Sequence, residues 1–266
     1  MVEDRQEMEK SDLKKMIGRL LCCWTALAGT VVSSQGSPPP PVPAVMQRNY
    51  DAARKNHEAN PGDTRAAWIL GRACFDRAEY SQSMAERGQL ANEGIAASKI
   101  ALEKAPKLAE GHYYTAMNLA QLARTKLWGA LPLLSRMEHE WLAAAAIDEK
   151  LDGGGPHRFV GLLYRDAPSW PVSLGDKAKA RTHLLRAVEL CPDFPENYLN
   201  LIESYLGWHE KAAAAAARQK LQEVLPAARG KYTGDYWDES WKDWNQRLLK
   251  IQAICNPPPE AAHGSK

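Results

Sequence analysis

Apolar residues along this chain recur at intervals of three and four, in blocks separated by Pro, Gly and short polar runs. That spacing lays one stripe along a helix of 3.6 residues per turn, and no segment shows the alternation that marks a strand. The pattern predicts a helix over Ala44–His57, closed by Asn60-Pro61-Gly62. Asp63 or Thr64 then caps a helix over Arg65–Asp76. A polar insert over Arg77–Gly88 is expected next, followed by a helix over Gln89–Lys104 that Pro106 ends. The pattern restarts with Ala109–Lys126 and its partner Leu131–Lys150. Asp152-Gly153-Gly154-Gly155-Pro156 breaks the chain before a third pair, His157–Asp166 and Lys177–Leu190. Pro192 breaks it again before a fourth pair, Pro195–Leu206 and Lys211–Val224.

The blocks keep a register. A small or apolar residue falls in mid-first-helix at Gly71, Ala116, Gly161 and Ile202, separated by 45, 45 and 41 positions. The closing positions Pro61, Pro106, Glu149 and Pro192 are 45, 43 and 43 apart. A hairpin of this size cannot bury its own apolar face, so stacked neighbours must complete the core. The expected fold class is therefore all-α, an α-solenoid of about four tetratricopeptide-like helical hairpins with a C-terminal capping helix. The tetratricopeptide period is about 34. The roughly ten extra residues per unit are expected between the two helices, as protruding loops or longer helices.

Composition adds a helical bias, through Ala runs at Ala143–Ala146 and Ala212–Ala217. The formal net charge of +2 gives no basic field that would point to nucleic acid. Lys14, Lys15 and Arg19 precede an apolar run, Leu20–Val32, with small residues at its exit. Residues 1–34 thus read as a secretory signal. Residues 35–43, QGSPPPPVP, read as a polyproline linker. The repeat domain is expected over 44–230, an aromatic capping helix over 231–255 and a disordered tail over 256–266. The run at 20–32 is short for a spanning helix, so membrane contact is expected only through the signal or an anchor, and the location is exported, periplasmic or envelope-associated.

No catalytic signature is present. His139-Glu140 lacks a second His at the zinc spacing, because Ala143 holds that position. Gly153-Gly154-Gly155 has no Lys-Ser/Thr partner and reads as a helix stop. The chain is read as a non-enzyme with no cofactor and no metal. Cys74, Cys191 and Cys255 show no metal spacing; the first two read as small buried hydrophobes, and a disulfide among the three stays open. The stripe at positions 237, 241, 244, 248 and 251 reads as a cap on the last open face, in preference to an aromatic platform for sugar or lipid.

Two stretches, His112–Lys126 and Gly161–Leu206, resemble the T-component family linked to tripartite ATP-independent periplasmic (TRAP) transporters. The specific parts are Leu162-Leu163-Tyr164, Ala167-Pro168-Ser169-Trp170-Pro171 and the Asp193–Tyr205 block. The resemblance implies tetratricopeptide-like hairpins in the bacterial periplasm. It also implies a partner solute-binding protein, a hydrophobic ligand path and homo-oligomers. This chain lacks the lipobox that many members carry. The alternative is a general tetratricopeptide scaffold for protein–protein interaction, unrelated to transport.

On such scaffolds contacts come from the inner face of the first helices. In this register that face offers Arg65, Trp68, Arg72, Tyr113, Met117, Gln121, Arg158, Leu162, Arg165 and Glu203. Arg beside aromatic and Met side chains suits a small amphipathic or anionic ligand, or a partner protein. The plain alternative is core packing, since one step of register redirects every side chain. Trp170, between two prolines, is the other expected contact.

Overall fold

Local signals start and stop the helices. In the computed structural model, which describes residues 41–126 and 129–255, the Asp63 carboxylate accepts from the Ala66 amide at 2.6 Å and opens helix α2, Thr64–Glu79. Ser83 accepts from the Glu86 amide at 3.1 Å and opens α3, Met84–Lys104. The Glu86 carboxylate reaches back to the Gln82 amide at 2.6 Å. Such reciprocal capping is a helix-start signal, and it overturns the expected insert over 77–88. Only Tyr80–Ser83 is unwound there. Asp176 caps α7, Lys177–Leu190, by accepting from the Ala178 and Lys179 amides.

The remaining helices are α1 (Ala44–Ala59), α4 (Ala109–Arg124), α5 (Leu131–Ile147), α6 (Leu151–Asp166), α8 (Pro195–Gly207), α9 (Lys211–Lys231) and α10 (Asp235–Cys255). The chain is all-helical among the described residues, with one isolated bridge, Ser169 to Gly175. The Gly-rich break survives as a left-handed turn at the start of α6. Asp152, Gly153 and Gly154 have φ of 50°, 63° and 81°, after which the helix runs right-handed. α9 outruns its expected end at Val224 by seven residues and carries Pro226 inside it. The extra residues of the repeat are mostly helix. Among the described residues, the turns between first and second helices at 80–83 and 208–210 are short and the one at 167–176 is a sizeable loop.

Packing divides the chain into two units, 1–192 and 193–266. In the first, α1 lies on α2, α2 pairs with α3, and α3 packs on α4, beside α2. α4 then pairs with α5, α5 packs on α6, and α6 pairs with α7. Pairs repeated in one sense form the tetratricopeptide-like solenoid. Its register positions are the tight points. A Cβ on Gly71 would lie 2.3 Å from Ser98 Oγ, and one on Gly161 would lie 2.7 Å from Leu184 Cγ. Ala116 occupies the matching buried place in α4. Trp141 stacks on Phe159 with centroids 5.4 Å apart, joining α5 to α6.

In the second unit α8 packs against α9 and α10. The stripe on α10 is a cap, as its period predicts. Trp244 is buried and its indole N–H donates to Glu196 of α8. Arg247 donates to Glu196, Asn200 and Glu203 of α8 at 2.6–2.8 Å. Residues 1–34, most of the linker, and 256–266 lie outside the described residues.

Candidate partner-binding face

The first helices of the first unit, α2, α4 and α6, carry the face on which contacts are expected. Trp68 of α2 is half-buried and lies parallel to Tyr114 of α4, centroids 6.0 Å apart and planes 5° apart. Arg65 is exposed one turn earlier and Arg72 is partly exposed one turn later. The two cations thus stand about 10 Å apart along the helix, with the indole between them.

Behind this mouth the face is polar and buried. Asp76 lies one turn beyond Arg72, its Oδ2 3.6 Å from the guanidinium Nε. Burial pushes the Asp76 carboxyl up to about 7; Arg72 opposes that shift, while Asp152 and Glu79 add to it. Tyr113 donates to Asp152 Oδ2 at 2.6 Å, and Arg158 donates to the same oxygen at 2.9 Å. Arg158 also donates to the Asp152 and Gly153 carbonyls, at 3.1 and 3.2 Å. The left-handed turn that bears Asp152 is thereby tied to α4 and α6. Burial raises the Tyr113 phenol well above its ordinary value, so it stays a donor.

A second cluster joins α2, α3 and α4. Glu79 accepts from Arg124 at 3.1 Å and from the Gln121 amide group. Arg87 donates to Gln121 Oε1 at 2.5 Å. Burial, then the Arg124 charge, pulls the Arg87 guanidinium down to about 10. Two arginines around one buried carboxylate leave the face cationic.

The expected contact residues therefore separate. Tyr113, Met117, Gln121, Arg158 and Leu162 are buried and packed inside the unit. Arg65, Trp68 and Arg72 are brought together at its surface. Arg165 is half-buried and chelated by its neighbour Asp166 at 2.7 Å. Trp170 is exposed in the α6–α7 turn. Glu203 belongs to the second unit, where Arg247 holds it. Asp76, Glu79, Arg87, Arg124 and Asp152 were absent from the expected set. A helical wheel drawn from Arg72 brings Asp76 and Glu79 onto one flank, and that signal could have found them.

Elsewhere in the first unit, His157 and His183 meet Nδ1 to Nδ1 at 2.9 Å, with Glu149 on the far nitrogen of His157. They edge a cleft of about 660 Å³ along α7. Burial, then the neighbouring His157, pulls His183 down to about 4. Among the described residues, no three His, Cys, Asp or Glu side chains converge on a metal position, and no disulfide joins Cys74, Cys191 and Cys255 to one another. None of the described helices is long and apolar enough to cross a membrane.

Residues 45–127, covering α1 to α4, match the family model of Regulator of microtubule dynamics protein 1-3. No curated protein matches the chain. Among solved structures the chain is similar to a thermophilic TPR protein of Thermus thermophilus. The TM-score is 0.54 and the identity 20%, over 77% of this chain and 93% of that one. That likeness is one of fold.

Proposed function

We propose that this chain is a non-catalytic helical-repeat binding module whose first-helix face takes an extended, net-acidic segment of a partner protein. One observation carries the reading. A half-buried Trp68, stacked on Tyr114, stands between Arg65 and Arg72 on an open face. The stack offers a flat, ordered surface at low entropic cost, and two guanidinium groups at its ends suit carboxylates. Arg72 has a long ion pair with a carboxylate that is half-protonated near neutral pH.

Selection of random peptides on the folded full chain tests this reading. The expected outcome is enrichment of net-acidic sequences, lost in Arg65→Glu/Arg72→Glu and in Trp68→Ala with the helical content unchanged. Enrichment of uncharged or basic sequences, or binding indifferent to these substitutions, contradicts it.

The finer form of this reading makes the module an exported accessory of solute uptake, with a solute-binding protein as partner. It rests on the resemblance of residues 112–126 and 161–206 and on the signal-like residues 1–34. N-terminal sequencing of the protein from an envelope fraction, with a new start near Gln35, supports it; an intact Met1 in the cytosol contradicts it. The family-model match over α1 to α4 favours a second reading, in which the partner belongs to the microtubule system named in that family's description. Co-sedimentation with assembled microtubules, weakened by Arg65→Glu/Arg72→Glu, separates the two.

A further inference from the structure

Stacked hairpins make their turns on one edge. In the first unit that edge carries exposed apolar groups. Met84, the first residue of α3, is 61% exposed, and in the α6–α7 turn Trp170 is 84% and Val172 42% exposed. The third turn is closed on itself. Gly175 donates to the Pro168 carbonyl and Asp176 to the Tyr164 carbonyl, both at 2.9 Å. A Cβ on Gly175 would lie 2.1 Å from the Ala167 carbonyl. Trp170 is thus held outward by a turn that cannot fold back over it.

The charges along this edge lean basic. Glu86 is paired with Arg77 at 2.6 Å, and Asp166 with Arg165 at 2.7 Å. Asp176 caps α7 and keeps its charge. Lys126, Lys177 and Lys179 are exposed beside the turns. Apolar tips flanked by lysines that outnumber the acids lacking an arginine partner are complementary to an anionic and partly apolar surface.

We propose that this edge docks on a bilayer surface rich in anionic lipid, with Trp170 and Val172 entering the boundary between headgroups and acyl chains. The tips are convex, and a bilayer boundary receives convex groups without a shaped pocket. An indole suits that layer because its ring is apolar and its N–H finds a partner among the headgroups. The lysines supply attraction to anionic headgroups. This edge is separate from the Arg65–Trp68–Arg72 face, so neither reading depends on the other.

The test uses the full chain and vesicles of phosphatidylcholine with or without phosphatidylglycerol, prepared with ordinary or brominated acyl chains. Brominated chains are expected to quench the wild-type indole emission more than that of Trp170→Phe. The other eight of the nine tryptophans are common to both proteins, so the difference reports Trp170 alone. Trp170→Ser/Val172→Ser should partition at least about tenfold more weakly. Lys126→Glu/Lys177→Glu/Lys179→Glu should lose the preference for phosphatidylglycerol. Equal quenching of wild type and Trp170→Phe, or equal partitioning of the serine variant, overturns the proposal. A preference for phosphatidylglycerol that survives the charge reversal overturns the role given to the lysines.

Discussion

Asp76 is a carboxyl group that burial keeps near neutral pH in the folded chain, against 3.8 as the ordinary value. Between about pH 4 and 7 the folded state holds a proton that the unfolded chain releases. Stability from this group is therefore present at low pH and falls as pH rises through 7. His183 acts in the opposite sense. Its folded value of about 4 lies below the ordinary 6.5, so stability from it is present at high pH and is lost as pH falls through that window. The two slopes offset each other between about pH 4 and 6.5. Asp76→Asn should remove the first, stabilising the chain at pH 8 by on the order of 2 kcal/mol relative to its effect at pH 5. His183→Gln should steepen the remaining rise in stability toward acid pH. Denaturant midpoints of the two variants at pH 5 and 8 check both expectations, and parallel profiles for wild type and Asp76→Asn would contradict the first. Neither carboxyl nor imidazole was legible as perturbed in the sequence. Burial of a polar side chain depends on which neighbour covers it, and a helical period does not report that.

The helices were legible where a local rule and the apolar period agreed. Asp63, Pro106 and Pro192 each mark a boundary that the structure keeps. The start of α3 was missed because polar residues 77–88 hid a Ser83–Glu86 capping pair. The end of α9 was missed because the polar residues from Arg218 onward dilute its stripe. The Gly-rich stop was recognised, but its form was not: it is a left-handed turn welded onto α6. Gly154 has φ +81° and a Cβ there would lie 3.1 Å from the Ala187 carbonyl. Gly154→Ala should cost about 1–3 kcal/mol in chemical denaturation. Gly161 tests the register itself. Gly161→Val would force α6 away from Leu184, costing about 1–3 kcal/mol, and the matched change Gly207→Val, in open space at the end of α8, should cost less than about 1. Equal losses at 161 and 207 would contradict the assigned hairpin contact.

At the scale of the whole molecule, the period near 43–45 was enough to give an all-α repeat, since regular breaks define hairpins and hairpins must stack. The binding face was legible only in part. Position along the first helices identified Arg65, Trp68 and Arg72, which the structure leaves at the surface. The same rule also selected Tyr113, Met117, Gln121 and Arg158, which the structure buries inside the first unit. The difference lies in which side chains the neighbouring helices cover, a property of neighbours rather than of register. The central claim, that the α2 face engages an acidic segment, is tested most directly by photo-crosslinking. A benzoyl-phenylalanine placed at position 68 of the full chain, and another at exposed Leu142 of α5, would be irradiated in the native cell. The adducts are then sequenced. The account predicts adducts from position 68 that map to net-acidic protein segments and vanish in Arg65→Glu/Arg72→Glu, with none shared by position 142. No adduct at 68, or the same adducts from both positions, would contradict it.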